Sequence, residues 1–392
     1  MNLLNPRLLI IAGLMAFVLG LSSPYIKEWF IPTNAPTIAE QDTAPITSDA
    51  FTFRLLKAAL AHQPEGNLTL APNSLAAALH QVSYLAEPSV EESLQALPLP
   101  EKLQQSNILP KETACLFADT TAGLNPEYIP DVAIAAPFST DLPEAFKTIN
   151  TTLSLLTATP LGNLANSETV SNSTNILMVN FIDYTAGWSS AISPSESSAE
   201  DFYNANGRMP KVRMMSAHAS HFATDPHGKW SAAAIRLAKD DTETAGLPDC
   251  YVIVILPEKA TAARNFAAEL TTEQFSAIRT ALRESTRSCT LTWPRLSFRS
   301  TPQDITGMLK LLEIDPLFTT ANPLTKLTAK PVFPFTAAYQ QCSVTMKESP
   351  VPGSNSTPTP EDRLLCDRPF LWFIMPISSP APPYAMGLVE NL

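Results

Sequence analysis

The chain contains 392 residues, of which 45% are hydrophobic and only 16% are charged. This hydrophobic content supports a sizeable core in one large domain or two, and it excludes disorder throughout the chain. The formal net charge is −11 and no cluster of Lys and Arg offsets it, which argues against nucleic acid or an anionic membrane surface as the partner.

The N-terminus predicts export. Arg7 precedes an apolar run over residues 8–21, which is short for a membrane span of about 20 residues but suits the core of a signal peptide. Residues 1–30 are therefore interpreted as a signal peptide or as an uncleaved signal anchor that tethers the protein to a membrane through residues 8–21. The protein is expected outside the cytoplasm, secreted or periplasmic. Residues 31–46 form a Pro/Thr-rich linker before a domain at 47–392.

Helices and strands interleave irregularly along this domain. Apolar spacing predicts a helix over Phe51 to Leu60, with Ser48 as its N-cap, and a second helix over Ala76 to Leu85. Unbroken apolar runs predict strands that are buried on both faces. The remaining predictions are a strand and turn at 67–75, strands at 176–182, 251–256 and 291–298, a helix at 303–314, and a hairpin of 370–375 with 384–389. Because no βαβ period or internal repeat appears, the pattern indicates an α+β fold.

Five cysteines are odd in number and unclustered, which excludes a disulfide framework. Cys115 and Cys250 lie in apolar, strand-like runs and are expected in the core. Cys342 and Cys366 bracket a Pro-rich stretch at 348–361, and a disulfide between them would hold its two ends together. Buried thiols are the alternative for this pair.

One His-rich stretch raises the question of a metal site. It contains His218, His221, Asp225 and His227, together with Pro226 and Gly228 in the sequence. A catalytic zinc site needs about three convergent ligands and a supporting second shell. The Pro and Gly favour a solvated loop instead, so no metal site is expected. No Ser/His/Asp triad can be assigned from the sequence.

Several segments occur in the order, and with many of the residues, of one protein family. The two most informative are Val179-Asn-Phe-Ile-Asp-Tyr-Thr-Ala-Gly-Trp188 and Asp367-Arg-Pro-Phe-Leu-Trp-Phe-Ile374. The others lie at 67–86, 149–164, 208–215, 251–257 and 386–389. Together they resemble serpins, protease inhibitors that present a reactive loop as bait and insert it into a β-sheet after cleavage. The resemblance implies an α+β serpin fold, with three β-sheets surrounded by eight or nine helices and an exposed loop at about 347–366.

The resemblance also implies a polar gate beneath the central sheet, called the shutter in this family. Ser74 and Asn180 match two of its positions, while Trp188 matches a packing position of the shutter or the neighbouring breach. The histidine of the family's shutter is replaced here by Tyr339 or Gln340. A second interpretation of Ser74 is that it caps a helix beginning at Leu75.

The reactive loop departs from the inhibitory pattern. The resemblance places the hinge, which would enter the sheet first, at Lys347, Glu348, Ser349, Pro350, Val351 and Pro352. The Gly-Thr-Glu-Ala-Ala pattern of inhibitory hinges is absent. Pro350 and Pro352 lack the amide hydrogen that a residue in a central strand must donate. Pro358 and Pro360, later in the loop, lack it as well.

The position of the bait bond depends on the direction of counting. Counting forward from the hinge predicts Arg363-Leu364, whereas counting back from Pro369 predicts a bond near Pro358. The disagreement indicates a loop several residues too short for the inhibitory mechanism.

The sequence therefore predicts a non-enzymatic serpin-family protein of serine-type endopeptidase inhibitor ancestry, with slow, reversible or non-inhibitory binding of a protease or another protein. The first alternative is a functional suicide inhibitor of an extracytoplasmic serine or cysteine protease. The second is an unrelated exported hydrolase or metal-binding protein. A monomer without a cofactor is expected. Glu91 and Glu92 stand where heparin-activated serpins carry basic residues, which argues against a polyanion partner.

Overall fold

A computed structural model gives the fold, and it describes residues 50–101, 103–106, 108, 111–129, 132–156, 164–186, 199–238, 246–259, 262–295, 297–299, 302–346 and 362–392. These residues form eight α-helices: α1 (Ala50–His62), α2 (Pro72–Leu85), α3 (Pro88–Gln95), α4 (Leu142–Leu156), α5 (Ala263–Glu269), α6 (Thr272–Glu284), α7 (Thr306–Leu311) and α8 (Pro316–Thr319). None of them is long and apolar enough to span a membrane. The apolar run at 8–21 lies outside the described residues.

Sixteen strands in the described part of the chain form three sheets. Their bounds are β1 (Leu68–Leu70), β2 (Lys111–Asp119), β3 (Ala133–Ala136), β4 (Ile176–Ala186), β5 (Ala199–Asp201), β6 (Lys211–Ala219), β7 (His221–Thr224), β8 (Trp230–Arg236), β9 (Tyr251–Pro257), β10 (Cys289–Pro294), β11 (Ser297–Arg299), β12 (Gln303–Asp304), β13 (Phe335–Met346), β14 (Asp362–Leu365), β15 (Phe370–Met375) and β16 (Ala385–Val389). The strand orders are β1-β16-β15-β9-β8-β7, then β14-β10-β6-β5, and then β11-β13-β4-β2-β3 with β12 pairing to β13.

The first sheet forms the centre of the core. Every residue of β15 and β16 is buried, and β9 is buried from its second residue onward. A strand covered on both faces must be apolar throughout, which is the reason that these runs could be predicted from the sequence. The predicted hairpin of residues 370–375 and 384–389 is confirmed by the antiparallel pairing of β15 with β16.

Three local predictions need correction. The second helix begins at Pro72, because proline is favoured in the first helical turn, so Ser74 lies inside α2 and does not cap it. The helix predicted over 303–314 is shorter, since β12 takes its first residues and pairs with β13. His218 and His221 lie in strands β6 and β7, and only the stretch after Thr224 forms the expected turn.

The third sheet contains the feature that matters for function. Its two middle strands, β4 and β13, run parallel and pair directly from Phe335 with Ile176 to Met346 with Ala186. No other strand lies between them. The sheet is therefore closed at the place where an additional strand would have to enter.

Candidate functional site

A buried polar cluster joins β4 to β13 beneath the third sheet. We define it as Ser74 of α2, Asn180 of β4 and Gln340 of β13, whose exposed fractions are 2%, 0% and 1%. The Ser74 hydroxyl donates to Asn180 Oδ1, and Asn180 Nδ2 donates to Gln340 Oε1 at 3.3 Å. Because Asn180 and Gln340 are direct partners in the ladder, parting the two strands breaks this hydrogen bond as well as the ladder.

Gln340 also connects the third sheet to the first. Its Oε1 accepts from the amide of Ala71 at 3.3 Å, and its Nε2 donates to the carbonyl oxygen of Thr69 at 3.3 Å. Thr69 belongs to β1, and Ala71 precedes α2. One side chain thus satisfies polar groups from β1, β4 and the start of α2, and these groups would otherwise be buried without partners.

Tyr339 lies outside the polar cluster. Neighbouring residues of a strand point to opposite faces, so Tyr339 points away from Asn180 and Gln340. Its hydroxyl donates to the carbonyl oxygen of Thr169 at 3.3 Å, and its side chain belongs to the same hydrophobic cluster as Ile149 of α4. Burial, together with the charge of Asp304, raises the pKa of Tyr339. Gln340, and not Tyr339, therefore belongs to the buried polar cluster that the family resemblance identifies with the gate. Trp188 lies outside the described residues.

The predicted reactive loop lies in the sequence between the end of β13 in the third sheet and the start of β14 in the four-stranded sheet. Fifteen residues, 347–361, connect Met346 to Asp362. The predicted hinge at 347–352 and the alternative bait residue Pro358 both fall in this segment and lie outside the described residues.

The Arg363-Leu364 bond belongs to strand β14, within the predicted loop at 347–366. Asp362 to Leu365 pair in parallel with Cys289 to Thr292 of β10, and the side chain of Leu364 is only 5% exposed. Cleavage at this bond would require β14 to leave its sheet. Residues 362–365, which the sequence analysis assigned to the loop at about 347–366, therefore belong to a strand.

No disulfide joins Cys342 to Cys366. Cys342 lies in β13 of the third sheet, whereas Cys366 follows β14 of the four-stranded sheet and donates its amide to Thr292 at 2.8 Å. Burial raises the pKa of both thiols above its ordinary value. The ends of the loop are therefore held by two separate sheets and not by a covalent bridge.

Replacing Gln340 by alanine is expected to lower the free energy of unfolding by about 2–3 kcal/mol, because Asn180 and Ala71 lose a buried acceptor and Thr69 a buried donor. Urea denaturation measures the change. The matched control is Tyr339→Phe, which removes one hydrogen bond from the opposite face and should cost less than about 1 kcal/mol. Equal losses in the two variants would contradict the assignment of Gln340 to the gate.

Comparison with known proteins agrees with this architecture. Residues 47–391 match the family model described as Serpin (serine protease inhibitor). The chain belongs to the serpin family. A search of curated proteins found no significant match.

Solved structures show the same fold at low sequence identity. Uncleaved ovalbumin is 17% identical with a TM-score of 0.74, and serpin-12 of Manduca sexta is 16% identical with a TM-score of 0.73. Each comparison covers 88% of this chain and 98% of the other. Maspin is 17% identical with a TM-score of 0.71, over 88% of this chain and 97% of that one. The three-sheet serpin fold predicted from the sequence is confirmed.

Serpins are mostly inhibitors that bind target proteases and are not themselves enzymes. The sequence indicated Ser74 and Asn180 together, and the structure joins both to Gln340 in one hydrogen-bonded cluster. The register of β13 against β4 shows that the side chain of Gln340, and not that of Tyr339, lies on the same face of the sheet as Asn180. A shift of one residue in this register would exchange the faces of the two side chains.

Proposed function

We propose that this serpin binds an extracytoplasmic protease, or another protein, through residues 347–361 without trapping it by strand insertion. The observation that supports this proposal is the short connection between β13 and β14, with only fifteen residues from 347 to 361. The loop is too short, and too rich in proline, to supply both a new strand and a bait bond.

The length of the closed ladder makes the shortage quantitative. Eleven residues of β13 are paired with β4. A loop strand that filled this ladder from residue 347 would use residues up to 357, and only the four residues 358–361 would remain before β14. Pro358 and Pro360 occupy half of that remainder, and few proteases cleave next to proline.

The prolines oppose insertion of the loop between β4 and β13 for a reason that does not depend on the length of the loop. Pro350 and Pro352 lie among the first six residues that would enter the sheet, and each lacks an amide hydrogen for the ladder. Proline is confined to edge strands and bulges for this reason. In a helix interior the same defect costs about 3 kcal/mol or more for each proline. Insertion would also have to break the Asn180 to Gln340 hydrogen bond. The expected driving force for trapping is therefore small.

The charge of α3, the absence of a metal cluster among the described residues and the family match limit the partner, the cofactor and the alternative functions that we propose. The exposed side chain of Glu92 on α3 and the nearby Glu87 and Glu91 argue against a heparin-like polyanion. The described residues contain no group of three or more His, Cys, Asp or Glu able to hold a metal ion. The family match argues against an unrelated hydrolase. We propose an exported protein, secreted or tethered through residues 8–21, that acts as a monomer without a cofactor.

Incubation with a panel of serine and cysteine proteases tests the proposal. We expect no SDS-stable complex, and we expect cleavage within 347–361 to change the melting temperature by less than about 4 °C. Catalytically inactive forms of the same proteases should bind reversibly in a biosensor measurement. An SDS-stable complex, or a much larger rise in melting temperature after cleavage, would establish a suicide inhibitor instead.

A loop variant isolates the role of the prolines. The variant replaces Pro350, Pro352, Pro358 and Pro360 by alanine, which restores four amide hydrogens at unchanged length. If proline blocks insertion, the cleaved variant should melt at a higher temperature than the cleaved wild type. If neither cleavage nor binding occurs with any protease, the protease-binding part of the proposal is wrong.

A further inference from the structure

The first residue of β14 is held by an arginine from a different part of the chain. Arg287 Nε donates to Asp362 Oδ2 at 2.9 Å, and Arg287 Nη2 donates to Asp362 Oδ1 at 2.7 Å. This two-point geometry is the most directional form of an ion pair. It lies where the loop ends and the sheet begins, because Asp362 is the first residue of β14.

Contacts with Ser285 and Phe222 hold Arg287 in position independently of Asp362. Its amide donates to Ser285 Oγ at 3.1 Å, and its carbonyl oxygen accepts from the amide of Phe222 at 3.0 Å. Its guanidinium lies 4.9 Å from the centroid of the Phe222 ring, within the range of a cation–π contact. Ser285 in turn donates its hydroxyl to the carbonyl oxygen of Phe222 at 2.6 Å. Because β7 and the end of α6 fix the arginine, little side-chain entropy is lost when it binds the carboxylate.

Strand β14 has few other contacts to keep it in the sheet. It contains four residues at the edge of the four-stranded sheet, and among the strands that the structure describes it pairs with β10 alone. Leu364 is its buried residue, while Arg363 and Leu365 are exposed. Short edge strands with one neighbour open readily, and opening here would release the C-terminal end of the loop.

We propose that Arg287 is a positioning residue that holds β14 in the sheet through Asp362 and so sets where the loop ends. The ion pair replaces the covalent bridge that the cysteines do not form, and it keeps the Arg363-Leu364 bond closed to proteases. This inference concerns the anchor of the loop and holds whether or not the loop binds a protease.

Hydrogen–deuterium exchange of the full chain, followed by mass spectrometry, tests the anchor. In Asp362→Asn and in Arg287→Gln, the amide hydrogens of residues 364–366 should exchange roughly threefold to fivefold faster than in the wild type, the range expected for a well-oriented exposed ion pair. The double variant Arg287→Asp with Asp362→Arg restores the charge pair and should return the rate to within about twofold of the wild type. Asp201→Asn serves as the control, since the exposed ion pair of Asp201 with Lys211 lies at the opposite edge of the same sheet.

Two results would overturn the proposal. In the first, the single variants exchange at the wild-type rate, which would show that the β10 ladder and Leu364 hold the strand alone. In the second, residues 370–375 of β15 accelerate as much as residues 364–366, which would show that the pair stabilises the whole fold and not the anchor. Acceleration confined to β14 and reversed by the charge exchange supports the proposal.

Discussion

Replacing Glu390 by glutamine is expected to lower the free energy of unfolding by about 3 kcal/mol, because it leaves the buried guanidinium of Arg264 without its compensating charge. The side chains of Arg264 and Glu390 are only 17% and 8% exposed. Arg264 Nε donates to both carboxylate oxygens of Glu390 at 3.1 Å, and Arg264 Nη2 donates to Glu390 Oε2 at 2.7 Å.

The same arginine also connects two other parts of the chain. Its Nη1 donates to the carbonyl oxygen of Gln63 and its Nη2 to that of Gly66, each at 2.7 Å. The pair therefore joins α5, the turn after α1 and the segment after β16. Loss of the Glu390 carboxylate should weaken the contacts of Arg264 with Gln63 and Gly66 as well, because Glu390 supplies the one negative charge among these contacts.

Urea denaturation of the whole chain measures this effect. The matched control is Glu144→Gln, which breaks the pair of Glu144 with Lys147 on the surface of α4, where the side chains are 46% and 68% exposed. Exposed pairs of this kind contribute little, so the control should change stability by less than about 0.5 kcal/mol. If both variants lose the same stability, the pair of Arg264 with Glu390 does not behave as a buried one.

Gly387→Ala is expected to destabilise the fold by about 3 kcal/mol, the upper end of the range for overpacking a core. Gly387 lies in β16 between Thr69 of β1 and Trp372 of β15. A Cβ atom at this position would meet the carbonyl oxygen of Leu68 and would lie 2.6 Å from Trp372 Nε1. The carbonyl oxygen of Leu68 belongs to the backbone of β1, and the indole of Trp372 is only 1% exposed and closely packed. Neither group can move away from the added methyl group without disturbing its neighbours.

Thermal and urea denaturation should both show the loss. Gly123→Ala is the control for the effect of a glycine on backbone conformation, since Gly123 has a φ of +64° and no atom within 4 Å of its added Cβ. The control should lose about 1 kcal/mol through backbone strain alone. A loss for Gly387→Ala no larger than for the control would contradict the packing argument.

Much of the core could be predicted because each strand carries its own pattern. The runs at β9 and β15 are apolar throughout, and only a strand covered on both faces requires that. The family could also be identified, because the segments occur in the correct order along the chain. The prolines of 347–361 are visible in the sequence, and their missing amide hydrogens argue against insertion in any sheet.

The gate and the anchor depended on contacts between distant segments. Tyr339 and Gln340 are adjacent in the sequence, and only the pairing of Gln340 with Asn180 shows which one faces the gate. Arg287 and Asp362 are 75 positions apart, and no local pattern connects them.

The family and the buried strands could be identified from the amino-acid sequence, because both depend on local composition and on the order of segments along the chain. The start of β14 at Asp362 could be seen in the three-dimensional structure alone, because this strand is defined by its pairing with β10. The structure also showed that Cys342 and Cys366 are both free, buried cysteines, which the spacing of the two residues along the chain left open. Strand register and sheet membership are long-range properties, and a shift of one residue in register moves a side chain to the other face.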